Sequence, residues 1–309
     1  MMRVLVTANS FGKYDHQARK ILEMHGFEIF DNPCGRVMNE NEFSNAIQGM
    51  DIVILGTEIL DKKVIEKADL LKFVSRYGVG TDNMDLAELE RRNIGYAITR
   101  NCNSQAVADY TIGLILDALR RISLSMHNLY EGKWEKVIGL DLYKKTAGII
   151  GLGAIGMGVA KRLAGFDCKV LGYDVNFNHA RCQQYHVQEA TLEEIYHKAD
   201  IITLHLPALP GDKALIGEKE ISCMKQDVVL INTARTSLIE ADALIAGIKS
   251  RKIFAAASDA QLSLAQIDER YKRLDHFILT PHNAAVSLEA SVKMSDAAVE
   301  NILNYFHRN

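Results

Sequence analysis

An α/β architecture built from two parallel-sheet domains follows from three features of the sequence. The chain has 309 residues, which at roughly 150 residues per domain is too many for one small core and suits two. Short apolar runs alternate with helical patterns twice over, once before and once after a long helical stretch at 104–132. Short apolar strands separated by helices belong to parallel sheets covered on both faces. A Gly-x-Gly-x-x-Gly run, Gly151, Gly153 and Gly156, sits at a strand-to-helix junction of the second series, where doubly wound sheets bind phosphates.

The first series opens with MRVLVTA (2–8), a strand, and YDHQARKILEMHG (14–26), a helix that stops at Gly26. FEIFDN, DIVILGT and LKFVSRYG add strands, with helical stretches at about 40–49 and 61–68, and IGYAITR (94–100) closes the series. The stretch 104–132 reads as one long helix with Ser104 as its N-cap. Six strand-like runs follow: TAGIIG, KVLGYD, IITLHL, VVLINTA, IFAAASDA and FILTPH. They suffice for a doubly wound nucleotide-binding sheet. A last helical stretch covers about 287–306.

Composition excludes several classes. The chain is 48% apolar and 24% charged with a formal net charge of −3, so it carries no nucleic-acid footprint and no polybasic membrane patch. Cys34, Cys102, Cys168, Cys182 and Cys223 form no C-x-x-C pair and are odd in number, which argues against a disulfide framework or a zinc site. No metal is expected. The apolar run of MMRVLVTANS is too short for a signal peptide, and no window approaches the roughly 20 apolar residues of a membrane span. A cytoplasmic location is expected.

The glycine run gains its meaning from context. It follows the strand TAGIIG, opens a helix, and is followed by KVLGYD, which ends in Asp174, 23 positions after Gly151. Gly151 permits a tight turn, Gly153 lets a pyrophosphate reach the backbone, and Gly156 lets helix and strand pack closely. The helix N-terminus then offers unpaired N–H groups and a positive dipole end. Asp174 suits the ribose hydroxyls of NAD and repels a 2′-phosphate, and Val175 and Asn176 supply no cation to hold one. The expected cofactor is NAD.

With these motifs in place, the chain resembles the NAD-dependent D-2-hydroxyacid dehydrogenases, the phosphoglycerate dehydrogenase-like branch most closely. The resemblance runs over nearly the whole chain through SRYGVGTDNMDL (75–86), AVADYTIGLIL (106–116), EGKW (131–134), GIIGLGAIG (148–156), ITLHLP (202–207), INTAR (231–235) and LTPH (279–282). It implies a discontinuous substrate domain, residues 1–101 plus 285–309, with an inserted Rossmann-like NAD-binding domain, residues 102–284. It implies an active site in the cleft between them, a homodimer, and a chain without the C-terminal regulatory domain of some phosphoglycerate dehydrogenases. Alongside Gly151, Gly153, Gly156 and Asp174, it implies cofactor contacts from Val107, Ala154, Ile155, His205, Pro207, Thr233, Ala234, Asp259 and His282.

Reducing a 2-oxo acid requires a hydride donor, a cation at the carbonyl and carboxylate, N–H donors for that carboxylate, and a proton for the new alkoxide. Arg235 follows a buried strand, and a guanidinium makes charge-assisted bidentate bonds to carboxylates. The resemblance implies that it is the catalytic arginine. It implies that Gly78, Val79 and Gly80 form the substrate-carboxylate loop, where glycines let N–H groups converge on an anion. Arg76 aligns with an arginine that binds a substrate phosphate. His282, at a strand end, is the implied general acid/base, since imidazole titrates near neutrality.

One position departs from the family. In DAQLSLAQID (259–268), Asp259 matches an Asp that holds the nicotinamide carboxamide, but the family glutamate five positions on is Leu264. That glutamate pairs with the histidine, and its loss should lower the histidine pKa. Asp268, Glu269 or a group from elsewhere could replace it, or His282 could act alone. The alternative function is a catalytically impaired NAD(H)-binding protein, acting as redox sensor or partner-binding module. A formate dehydrogenase-like reaction is a third reading, since Gln261 and Gln266 lie nearby but out of register with that branch's glutamine.

Overall fold

The computed structural model describes residues 1–260 and 267–307. The chain divides into two compact units, residues 1–103 with 286–309 and residues 104–285.

The first unit holds a five-stranded parallel sheet. Its strands are β1 (Met2–Val6), β2 (Phe27–Asp31), β3 (Ile52–Leu55), β4 (Phe73–Arg76) and β5 (Gly95–Ile98), in the order β2-β1-β3-β4-β5. Helices α1 (Gln17–Met24), α2 (Glu40–Ala46), α3 (Lys62–Lys67) and α4 (Leu86–Arg91) connect them. Each short helix is fixed at its start by a side chain: Asn39 caps α2, Asp61 caps α3 and Asp85 caps α4. The core gathers Leu5, Phe43, Ile47, Val53, Leu55 and Val74, all nearly inaccessible. The C-terminal helix α12 (Leu288–His307) belongs to this unit. Tyr305 stacks on Phe73 with centroids 4.4 Å apart, and Ser75 Oγ donates to the carbonyl of Ala298 at 3.1 Å. Any side chain at position 95 would strike that Tyr305 ring, 2.4 Å from an ideal Cβ. These contacts explain why the last twenty residues rejoin the unit in which the chain began.

The second unit holds a seven-stranded parallel sheet. Its strands are β6 (Thr146–Ile150), β7 (Lys169–Tyr173), β8 (Val187–Glu189), β9 (Ile201–Leu204), β10 (Val228–Asn232), β11 (Ile253–Ser258) and β12 (Phe277–Leu279). The order is β12-β11-β10-β9-β6-β7-β8, a doubly wound arrangement whose strand order reverses beside β6. One face is covered by α5 (Ser104–Arg120) and α7 (Ala154–Leu163). Gly158 lets these two helices meet, since a Cβ there would lie 2.9 Å from that of Ala108. The opposite face is covered by α9 (Leu192–Lys198), α10 (Glu218–Cys223) and α11 (Ala241–Lys249).

Three elements differ from the sequence reading. The stretch 104–132 is two helices, α5 and α6 (Ile122–Tyr130), broken at Arg121, whose φ of 54° is left-handed. No Gly or Pro marks the break; the Arg121 guanidinium lies 4.2 Å from the Phe254 ring centroid, so a tertiary contact holds it. The first turn of α5 begins at Ser104 itself, not after it. Strand β8 and helix α4 were not read from sequence, being only three and six residues long. Helix α8 (His179–Gln183) completes the unit. Among the described residues no helix is long and apolar enough to cross a membrane, and no group of His, Cys, Asp and Glu is arranged to hold a metal.

Candidate active site

The glycine cradle lies where β6 passes into α7. Gly151 has φ +98°, and a Cβ there would come 2.6 Å from the carbonyl oxygen of His205. At Gly156 a Cβ would sit 2.0 Å from the carbonyl oxygen of Gly151. Gly153 differs from both: nothing lies within 4 Å of its Cβ position. Two glycines therefore close the turn, and the third keeps open the space at the N-terminus of α7. Gly153 is the N-cap, no side chain caps the helix, and its first turn carries no acidic residue. The amides of Ala154 and Ile155 thus begin a helix end left free for an anion. This open cradle fits the pyrophosphate of a dinucleotide.

Asp174 follows β7 and binds two main-chain N–H groups. Its Oδ2 accepts the Leu152 N–H at 2.7 Å and its Oδ1 accepts the Asn176 N–H at 2.9 Å. The same carboxylate therefore pins the glycine loop, and the adjoining Val175 is exposed without adding a cation.

A chain of hydroxyls runs from α5 to the ends of β9 and β10. Thr111 Oγ1 donates to the carbonyl of Val107 at 2.7 Å and lies 3.2 Å from Thr233 Oγ1. Thr233 lies 3.4 Å from His205 Nδ1, and His205 Nε2 lies 3.0 Å from Thr203 Oγ1. Burial pushes the His205 pKa down to about 3, so this ring stays neutral at physiological pH and acts as a hydrogen-bonding spacer. Pro207, just beyond, is exposed. Sequence reasoning passed over Thr111 and Thr203, because hydroxyls on helix and strand interiors give no local signal.

Three adjacent strands of this sheet deliver the polar groups at their C-terminal ends: Arg235 after β10, Asp259 after β11 and His282 after β12. Neighbouring strands lie about 4.8 Å apart, so the flanking two are separated by ~10 Å, the scale of a small acid and its two ligands. Arg235 is presented by an Asx turn: Asn232 Oδ1 accepts the Ala234 N–H at 3.0 Å, and Asn232 Nδ2 donates to the Arg235 carbonyl at 2.8 Å. The Arg235 Nη1 also donates to the Ala234 carbonyl at 2.9 Å. Asn two residues before a loop Ala is a legible turn signal, and the sequence reading missed it.

Asp259 is almost completely buried and its carboxylate is heavily engaged. Oδ1 accepts the Thr280 hydroxyl and the Asn283 N–H (2.8 Å), and Oδ2 accepts the Ala284 N–H (2.7 Å). These bonds shape the 280–284 loop around His282, whose own φ is 53°. The His282 Nδ1 lies 3.0 Å from the main-chain carbonyl of Asp259. A carbonyl only accepts, so Nδ1 carries hydrogen and Nε2 is the nitrogen that exchanges a proton.

Leu264, Gln261 and Gln266 lie outside the described residues. Asp268 caps a 3-10 turn and binds Arg270, while Glu269 pairs with Lys272 at 2.7 Å. Among the described residues, the acceptor offered to His282 Nδ1 is the Asp259 carbonyl.

In the first unit, the loop after β4 is tied by Arg76, which donates to the carbonyls of Gly80 (2.8 Å), Tyr77 (2.7 Å) and Leu55 (3.3 Å). Gly78 has φ +145° and gives its N–H to Thr99 Oγ1 at 2.8 Å. Of the three expected carboxylate donors, Gly78 is spent inside the loop. The N–H groups of Val79 and Gly80 meet no acceptor among the described residues.

Residues 112–284 match the family model described as D-isomer specific 2-hydroxyacid dehydrogenase, NAD binding domain. The chain is 34% identical over 307 residues to a D-3-phosphoglycerate dehydrogenase of Methanocaldococcus jannaschii, covering 98% of this chain and 57% of that relative. It therefore spans little more than half the length of that protein. It is 31% identical over 301 residues to a glyoxylate reductase of Thermofilum pendens, covering 92% of this chain and 89% of the relative. Among solved structures, the apo form of D-lactate dehydrogenase from Escherichia coli superposes with a TM-score of 0.85 at 26% identity, covering 100% of this chain and 98% of that one.

Proposed function

The chain belongs to the D-isomer specific 2-hydroxyacid dehydrogenase family, and from that premise we propose that it interconverts a 2-oxo acid and a D-2-hydroxy acid with NAD(H). The observation that carries this reading is the His282 ring, fixed by the Asp259 carbonyl so that Nε2 is the proton-exchanging nitrogen. It stands on the same sheet edge as Arg235, in the unit that carries the open glycine cradle.

When bound, NADH supplies the hydride. Gly151, Gly153 and Gly156 hold its pyrophosphate, and Asp174 selects it over NADPH. Arg235 polarises the carbonyl and binds the carboxylate, placing a fixed positive charge where negative charge develops. His282 Nε2 then gives its proton to the new alkoxide, leaving the neutral Nδ1–H form that the Asp259 carbonyl accepts.

The first unit is the substrate domain in this account, with Val79 and Gly80 as carboxylate donors. Three main-chain carbonyls engage Arg76, which favours a small unphosphorylated 2-oxo acid over a phosphorylated one. Residues 122–143 carry exposed Ile122, Met126, Leu129, Tyr130, Trp134 and Ile138. Exposed apolar surface of this extent supports a homodimer packed through this segment, checked by its mass in solution. We place the enzyme in the cytoplasm, a location that cell fractionation checks. The non-enzymatic alternative is not adopted, since the compared relatives carry the names of dehydrogenases and reductases.

The test is NADH oxidation with glyoxylate, pyruvate, hydroxypyruvate, oxaloacetate and 3-phosphohydroxypyruvate. Turnover is expected with at least one unphosphorylated acid, with NADH preferred to NADPH by about tenfold or more. Absence of turnover from pH 5 to 9, with tight NADH binding, would sink the reading.

A further inference from the structure

The second unit has a second polar constellation, at the opposite edge of its sheet from Arg235 and His282. Arg121, Asp227, Arg251 and His276 surround a cavity of about 170 Å³ backed by Ile253 and Phe254. Arg121 sits at the α5–α6 break, Asp227 just before β10, Arg251 two residues before β11 and His276 just before β12. All four thus lie at the N-terminal edge of the sheet. The six residues of β11 alone put ~20 Å between this edge and the catalytic one.

Several features mark the cavity as more than a crowded turn. Arg121, Asp227 and Arg251 all adopt left-handed φ, at 54°, 62° and 61°. Side chains rarely take that conformation, and it persists where surrounding contacts enforce it. The Arg121 guanidinium lies over the Phe254 ring. Its Nε and the His276 Nδ1 are buried polar atoms without a hydrogen-bond partner, a situation native proteins seldom leave unresolved. Two guanidinium charges face one carboxylate here. Burial and then the Arg251 charge make Arg121 easier to deprotonate, and burial and then the Arg121 charge do the same to His276. The lining therefore carries more positive than negative charge.

We propose that this cavity binds a tetrahedral oxyanion of the phosphate or sulfate class. Such an ion would accept from the guanidinium groups of Arg121 and Arg251 and from the His276 ring, and would neutralise Arg251 against its neighbour. The volume admits the ion with several waters, each taking about 30 Å³.

The experiment is isothermal titration calorimetry of inorganic phosphate and of sulfate into the full chain, presaturated with NADH so that the glycine cradle is occupied. One saturable site per chain is expected. Arg251→Gln should weaken it by about tenfold or more, the loss of one charge-assisted contact. Asp227→Asn should tighten it severalfold, because a competing negative charge is gone; Asn also tolerates the left-handed φ. A misfolded variant would not bind more tightly, so the two substitutions separate the site from a folding defect. No saturable binding, unchanged affinity in both variants, or acetate binding as tightly as phosphate would overturn the proposal.

Discussion

Replacing His282 by alanine is expected to lower kcat for 2-oxo acid reduction by about 10²–10⁴-fold, the usual contribution of a positioned general acid. NADH affinity should stay within a few-fold of wild type, because the glycine cradle and Asp174 lie on other strands of the sheet. The physical reason is the placement of the ring. Its Nδ1 lies 3.0 Å from the Asp259 carbonyl, which orients the ring at the C-terminal end of the sheet. His205, in the same unit, is held neutral by burial and bonded at both nitrogens to threonine hydroxyls. Stopped-flow absorbance at saturating NADH separates the two effects. A kcat loss below about tenfold would remove His282 from the proton-transfer step.

Asp259→Ala should cost about 3 kcal/mol or more of unfolding free energy, because three donors lose their acceptor and two of them are main-chain N–H groups. Each stranded donor in a buried setting costs about 1–3 kcal/mol, and Asp259 is 2% exposed. Urea denaturation of the cofactor-free protein measures this directly. The same substitution should depress kcat more than it raises KM, since a loosened 280–284 loop no longer holds the ring. A residue that only gripped the nicotinamide would leave cofactor-free stability unchanged and raise the NADH Kd instead. Stability within about 0.5 kcal/mol of wild type would therefore favour that narrower role.

Most of the fold was legible because its signals are local. The runs TAGIIG, KVLGYD and VVLINTA are short, apolar and bounded by turns, and they became β6, β7 and β10. The glycine cradle was legible because only glycine satisfies the left-handed Gly151 and the 2.0 Å approach at Gly156. The break at Arg121 was not legible. Nothing in LRRIS announces a left-handed residue, and the contact that stabilises it comes from Phe254, far along the chain. Strand β8 was lost because Val-Gln-Glu at a sheet edge has neither length nor alternation.

The site shows the same division. Arg235 and His282 were named from residue type and motif, yet part of what orients the His282 ring is main-chain geometry that residue type does not encode. The Asp259 carbonyl, the Asn283 and Ala284 amides and the Gly78 N–H spent on Thr99 all belong to that class. The sequence reading looked for a carboxylate partner for His282 and found Leu264. A backbone oxygen gives no sign of itself in a sequence, and that is why this acceptor went unseen.

The central claim is hydride transfer from NADH to the carbonyl carbon of a 2-oxo acid on the face that yields the D-product. The measurement that tests it most directly is isotope tracing with NADH deuterated at both C4 positions and a chiral-product 2-oxo acid such as hydroxypyruvate, read by mass spectrometry and chiral chromatography. The account predicts a D-2-hydroxy acid with a single deuterium, bonded to C2. NADH oxidation without deuterium in the product, or an L-product, would contradict it.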